Sequence, residues 1–470
     1  MKLERVLARV ESNFEAAVSR YIDFLRIPSI STDPAYQDEV KRAGEWLCGE
    51  FQEIGFTAKL HETKGHPILL AHYEAESAGA PHILYYGHYD VQPPEPLELW
   101  TSPPFEPVIV KGPHGKRVVA RGAADDKGQV MTFLEAFRAW KAVHGSLPVT
   151  ITALIEGEEE SGSASLPGFL AKHAASLRKA AAAVICDTNA WDIDTPAITY
   201  RLRGNVYVEV TLEGPSHDLH SGLYGGAAVN PLNVLTEVLG RLRDSEGRVQ
   251  VPGFYDDVVE LSREERRAWA GLPFDKAEFL REAGLTYSAG EIGYTTLERL
   301  WARPTCDLHG IWGGYMGPGS KTVIASRASA KLSFRTVPHQ NPAKILRSLK
   351  KFLNESLPPD CRWTVEEMSA SAGVLVPAGG PYMRAVRAGL TDIFRKPPAM
   401  VGCGGSIPVV GHLKDKLGLD SILAGFGLSD DRIHSPNEKF ELKCLKNGVQ
   451  SQAAMLARFA ELAGKPRGGR

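Results

Sequence analysis

Apolar positions recur with a helical period from Glu4 to Phe24, and the Ile27-Pro28-Ser29 turn stops the run. A second helical run extends from Asp38 to Ile54 and ends at Gly55. The pattern then shortens. FTAKLHET, HPILLAHYEA, PHILYYGHYDVQP, RVVARGAADDKG, VTITALIEGEEESGS and AAAVICDTNAW are brief apolar or alternating runs that predict strands, and helical stretches such as QVMTFLEAFRAWKAVHG follow several of them. Strands alternating with helices predict an α/β fold, a mainly parallel sheet with helices on both faces. Polar residues fall just past the apolar runs: His88 and Asp90 after ILYYG, Asp125 and Asp126 after VVARGAA, Glu158 to Glu160 after ITALIEG, and Asp187 after AAAVIC. Because open α/β sheets bind ligands at the carboxyl ends of their strands, four strand ends are expected to aim carboxylates or imidazole at one place.

From Thr199 the texture changes. ITYRLRGNVYVEVTLEG alternates with period two, as an antiparallel strand with one covered face does. PLNVLTEVLGRLRD and LSREERRAWAG read as helical, KTVIASRASAKLSFRTVP as two strands, AKILRSLKKFLNESL as a helix and CRWTVEEMSAS as a strand. Such a β-α-β-β-α-β-like series can bury its own helix layer, so residues 196–370 are expected to form an inserted α+β, ferredoxin-like domain. Residues 1–195 and 371–470 would then form the two parts of the first domain, the second part carrying PYMRAVRAGLTDIF, the loop VGCGGSIPVV, the strand SILAGFG and a last helix near Leu442 to Ala463.

Composition narrows the function classes without naming one. At roughly 150 residues per domain, 470 residues suggest about three domains, which the insertion reduces to two. With 54 basic and 56 acidic residues the chain has no broad charge footprint for nucleic acid or an anionic membrane. Six scattered cysteines without a C-x-x-C pair support neither a disulfide framework nor a thiolate zinc site. The charged N-terminal helix lacks the apolar core of a signal peptide, and no run approaches the roughly 20 apolar residues of a membrane span. A cytoplasmic location is expected. No G-x-G-x-x-G opens a helix after a strand, so a dinucleotide-binding oxidoreductase is disfavoured.

The chemistry must therefore be local. His88 and Asp90 in H-x-D lie on one face of an extended chain, where a carboxylate can fix the tautomer of a ligating histidine; taken alone, the pair equally suits an ordinary histidine–aspartate contact. Asp125 and Asp126 repel one another unless a cation sits between them, though D-D-K-G is also good turn chemistry. In EGEEESG one glutamate can ligate a metal while its neighbour remains a base; a run of acids is otherwise a solvated face. Together His88, Asp125, Glu160, Asp187 and His434 offer two imidazoles and three carboxylates. If Asp125 bridges, each of two divalent ions receives one histidine, one further carboxylate and half of Asp125, a donor set suited to zinc, manganese or cobalt with room for a shared water.

The ordered set YGHYDVQP, RGAADDKG, EGEEESGS, the aspartate of ICDTNAW, DLHSGLYGG, SFRTVP, GGSIPV and IHSPNEK resembles the dinuclear metallopeptidase family of cytosolic non-specific dipeptidases, carnosinases, aminoacylases and glutamate carboxypeptidases, from about residue 20 to 460. The resemblance implies that His88 and Asp187 hold one metal, Glu160 and His434 the other, and that Asp125 bridges, with a cis peptide between Asp125 and Asp126. It implies Glu159 as general base and Asp90 as the partner of His88. It assigns the inserted domain to dimerisation, with His220 acting across a homodimer interface on the oxyanion, Arg335 gripping the substrate carboxylate, and Thr322, Gly405 and Ser406 lining the pocket; His217, His220 and Arg335 could otherwise be turn or surface residues. One departure stands out. The dipeptidase branch carries Arg-Glu before Gly-Gly-Ser-Ile-Pro, whereas this chain has Val401-Gly402-Cys403-Gly404.

The resulting expectation is a di-metal amidohydrolase acting on dipeptides or short peptides with a free carboxylate. An N-acyl-amino-acid deacylase with the same chemistry is the alternative, followed by a non-catalytic metal or peptide binder, which would have no use for Glu159.

Overall fold

The computed structural model describes residues 2–464. It divides into two compact units: the first holds the residues up to Tyr200, Val376–Met400 and those from His412 onward, and the second holds Arg201–Leu375 with Val401–Gly411. The segment 401–411, expected with the returning part of the first domain, thus belongs with the second unit. Its attachments explain this: the Arg203 backbone N–H donates to the Cys403 carbonyl at 3.3 Å, Arg203 Nε donates to the Gly404 carbonyl at 2.9 Å, and a Cβ on Gly402 would come within 2.4 Å of Trp301.

The first unit is built on one sheet whose strands run, side by side, Thr57–His61, Ile68–Tyr73, Thr150–Glu156, His82–His88, Ala182–Ile185, Ser421–Leu423 and Ala197–Leu202. The four from Thr150–Glu156 to Ser421–Leu423 are mutually parallel, and antiparallel strands flank them on both sides. Thr150–Glu156 and Ala182–Ile185 are buried along their whole length, which is why they read as unbroken apolar runs. Helices Lys127–His144 and Leu442–Ala460 pack together over this core, Trp140 Nε1 donating to the Ala453 carbonyl at 3.1 Å.

Several local expectations change: ITYRLRGNVYVEVTLEG is two strands, Ala197–Leu202 in the central sheet and Gly204–Glu213 in another, and of the two strands expected in KTVIASRASAKLSFRTVP one is only Val323–Ile324, paired with Leu219–His220. The first helix is two, Leu3–Ser12 and Phe14–Leu25, parted at Asn13 (φ −110°, ψ 9°), a residue type whose side chain competes with helical backbone bonding. The strand in RVVARGAADDKG is not in the central sheet. Gly115–Val119 instead joins Val108–Gly112 and Lys439–Glu441 in a separate antiparallel sheet, so Asp125 arrives from a loop beside the central strand ends and not from one of them.

The second unit carries an antiparallel sheet in the order Thr305–Gly313, Arg327–Thr336, Gly204–Glu213, Arg362–Ser371. Numbered along the chain this is second, third, first, fourth, the ferredoxin-like arrangement. Gly204–Glu213 alternates buried and half-buried residues without a break; Val206, Val208, Val210 and Leu212 are its inward set. The first three share one core with Leu235 and Leu239 of helix Pro231–Gly240 and Leu349 and Phe352 of helix Pro342–Asn354.

Candidate metal centre

His88 closes the strand His82–His88, and Asp187 lies two residues beyond Ala182–Ile185. Glu159 and Glu160 follow the end of Thr150–Glu156. Asp125 precedes helix Lys127–His144 and is joined to Asp126 by a cis peptide bond. His434 approaches from the loop before Lys439–Glu441 with a left-handed backbone (φ 62°), a conformation that bulky residues adopt rarely.

These loops bring two donor groups together. His88, Asp125 and Asp187 form one, and Asp125, Glu160 and His434 form the other; within each, the ligand atoms lie within 4.8 Å of one another. Asp125 is common to both and divides its oxygens, Oδ1 lying 3.1 Å from His88 Nε2 and Oδ2 lying 2.9 Å from His434 Nε2. Glu160 Oε1 lies 3.2 Å from His434 Nε2, yet it is buried with no properly oriented hydrogen bond.

Asp90, fully buried, has more to do than orient one imidazole. His88 Nδ1 faces the Asp90 backbone carbonyl at 3.1 Å and Asp90 Oδ1 at 3.3 Å, and the two carboxylate oxygens accept the backbone N–H groups of Glu159 at 3.2 Å and Glu160 at 3.0 Å. The same carboxylate therefore fixes the loop that carries both glutamates. Asp126 accepts from the His88 N–H at 3.0 Å. Glu158 accepts from the backbone of His66 and Ser165 and anchors the other side of that loop.

Electrostatics reflect this crowding. Burial first, then the Asp125 charge, raises Asp187 to about 7. Burial, against the opposing pull of His88 and reinforced by Asp187 and Glu160, raises Glu159 to about 9. Burial would raise Asp125 too, but its bonds to His434 and His88 hold it well below the usual carboxylate range. His434, bonded to Asp125 and then Glu160, is raised to about 10. Carboxylates packed this tightly, one with a buried oxygen at Glu160 that has no oriented hydrogen bond, and imidazoles turned toward shared oxygens are a donor set that fits divalent cations.

One participant leaves no mark in the sequence. Glu438, fully buried, accepts hydrogen bonds from the backbone of Gly122, Ala124 and Asp125 and from Arg121. An acid four residues after a loop histidine reads as solvated, and only a contact across more than three hundred residues reveals its place.

The remaining predicted residues lie in the second unit. His220 pairs with Val323 on a two-residue strand, is exposed, and its Nδ1 accepts from the Gly222 N–H at 3.0 Å. The Ser221 N–H donates to the Thr322 carbonyl at 3.0 Å, which sets Thr322 beside it. Arg335 lies on Arg327–Thr336 opposite Thr305 and Asn205. Gly405 donates its N–H to Cys403 Sγ at 3.4 Å, and Gly405 and Ser406 are both half-buried. Arg203, not singled out by the sequence, is buried; desolvation and the nearby Arg335 charge lower it to about 10.

Metal-type donors gathered at the strand ends of an α/β sheet, with a spare carboxylate beside them, define a metal-dependent hydrolase. The profile of peptidase family M20/M25/M40 matches residues 84–458, and the chain belongs to that family. It is a metal-dependent peptidase. It is similar to the Cys-Gly metallodipeptidase DUG1 of Candida albicans, 30% identical over 484 residues that cover 97% of each chain. It is also similar to the Beta-Ala-His dipeptidase of Homo sapiens, 30% identical over 400 residues covering 84% of this chain and 78% of the relative. The solved M20 family metallo-carboxypeptidase Sso-CP2 from Sulfolobus solfataricus shares the fold with a TM-score of 0.82 at 31% identity, over 95% of this chain and 99% of that one.

Proposed function

We propose that this peptidase hydrolyses the amide bond of dipeptides or short peptides bearing a free C-terminal carboxylate, using two divalent cations, zinc by preference and manganese or cobalt as substitutes. The observation that carries the reading is the division of Asp125, one oxygen toward His88 and the other toward His434, with Asp187 and Glu160 completing the two donor groups. The relatives named as dipeptidases support the substrate class. Bound there, the cations supply Lewis-acid activation of water and of the scissile carbonyl. Glu159 takes the proton of the attacking water and passes it to the leaving amine. Asp90 holds Glu159 and His88 in register through the bonds described above. Arg335 grips the substrate carboxylate by a bidentate contact, while Thr322, Gly405 and Ser406 line the pocket. The working form is a homodimer in which His220 of the partner subunit stabilises the oxyanion. The enzyme resides in the cytoplasm, in keeping with the lack of disulfides and of a membrane-length apolar helix among the described residues.

A second reading, an N-acyl-amino-acid deacylase, is favoured by Cys403 and Gly402, which leave no charged side chain between Val401 and Gly405. A panel of dipeptides assayed against N-acetyl amino acids decides between them. Higher kcat/KM for the dipeptides is expected, and higher values for the acyl compounds would overturn the preference.

A further inference from the structure

Glu438 brings one carboxylate to four donors. Oε1 accepts the N–H groups of Ala124 at 2.8 Å and Asp125 at 3.1 Å, and Oε2 accepts the Gly122 N–H at 2.9 Å and Arg121 Nη1 at 2.9 Å. The Glu438 carbonyl also accepts the Ala120 N–H at 3.1 Å. Arg121 is itself held, donating to the Pro93 carbonyl at 3.0 Å and lying 5.5 Å from the Trp100 ring centroid. Both members of this ion pair are about 1% exposed. A carboxylate needed only to balance Arg121 would turn both oxygens to the guanidinium. Here three of the four bonds go to backbone of the loop that presents Asp125, and the acceptor lies four residues beyond His434.

We infer that Glu438 is a positioning residue for the metal centre, locking the bridging carboxylate of Asp125 and the His434 loop into a single rigid piece. Neither loop is held by regular secondary structure at these residues. Ligands on loops gain affinity when their backbone is fixed before the cation arrives. Glu438 does this from behind, by satisfying the N–H groups of Gly122, Ala124 and Asp125, so that the Asp125 carboxylate is left to turn between His88 and His434 while Asp126 holds the His88 N–H.

The inference rests on the metal-binding reading proposed above, and the experiment separates the two. Glu438→Gln exchanges one acceptor oxygen for an N–H donor facing other donors, at nearly unchanged size. Zinc and cobalt affinity, read by chelator competition, is expected to fall at least about tenfold. At saturating metal, kcat is expected to fall by a similar factor while KM moves less than about threefold, both read per folded protein and below the melting midpoint, which is expected to drop because Arg121 loses its buried partner. Metal affinity and kcat both within twofold of wild type overturn the inference, as does a loss that only tracks the fraction of folded protein. The wild type gives a reading that needs no variant: amide exchange over 120–125 and 434–438 should change together when metal is removed, and independent changes overturn the coupling. If Asp125→Asn leaves metal uptake of the full chain intact, the metal reading itself fails and this inference with it.

Discussion

At Asp125 two histidines compete for two oxygens of one carboxylate, and that arrangement has a proton ledger. In the metal-free protein His434 is raised to about 10 by its bonds to Asp125 and Glu160, and Asp187 is raised to about 7 by burial. His434 therefore carries a proton at neutral pH and Asp187 carries one in about half of the molecules, and a cation held as proposed above must displace both. Raised values keep the competing proton bound across this range, so each unit fall in pH makes its displacement about tenfold harder and metal affinity should weaken by at least about tenfold per unit between pH 8 and pH 6. Chelator competition across that range, with calorimetry in buffers of different ionisation enthalpy, measures the proton release directly; a flat affinity would contradict the assignment of His434 and Asp187 as ligands. At this scale the sequence was readable where a polar residue ended an apolar strand, as at His88 and Asp187. It was silent on Glu438 and Arg203, whose partners lie far along the chain.

Helix Lys127–His144 shows what the element scale adds. Its second residue, Gly128, is pressed against the metal loop: a Cβ there would lie 2.1 Å from the Ala123 carbonyl and 2.8 Å from Phe440, and the Tyr21 hydroxyl donates to that same carbonyl at 2.6 Å. Gly128→Ala raises helix propensity but must push backbone aside, so it is expected to destabilise the fold by about 1–3 kcal/mol and to lower activity with it. Urea denaturation beside kinetics tests this, and an unchanged midpoint would show that the loop yields freely. Elements with a strong period were legible: Gln37–Ile54 ends at Gly55 in the left-handed region (φ 101°), where glycine is favoured. Thr305–Gly313 was not, because only Cys306 in it is buried and a bulge between Leu308 and Gly310 breaks its alternation. Gly115–Val119 reads as a strand, but apolar content does not specify a partner, and it pairs outside the central sheet.

For the whole molecule, the proposed homodimer makes a demand that neither unit meets alone. Chains carrying His220→Ala and chains carrying Arg335→Ala, each inactive by itself, are expected to recover part of the wild-type activity when coexpressed, because a mixed dimer then holds one site with both residues intact. Activity of the purified mixed species measures this, and an absence of recovery would assign both residues to a site within one chain. Of the ferredoxin-like plan of the second unit, Gly204–Glu213, Arg327–Thr336, Arg362–Ser371 and the two core helices were legible, while the remaining strand, Thr305–Gly313, was not. The membership of 401–411 was not, because short bonds such as those from Arg203 leave no periodic trace.

The distance along the chain between Asp125 and His434 has one more consequence. The two are 309 residues apart in sequence. During synthesis the ribosome releases His88, Asp125, Glu160 and Asp187 long before His434, the last of the five proposed ligands, exists. At typical elongation rates of about 5–20 residues per second, a nascent chain spends roughly a quarter of a minute or more with an incomplete site. On the proposed ligand set, a product truncated before His434 would be inert however well its first 200 residues fold, so hydrolytic competence would itself check that translation ran through that loop.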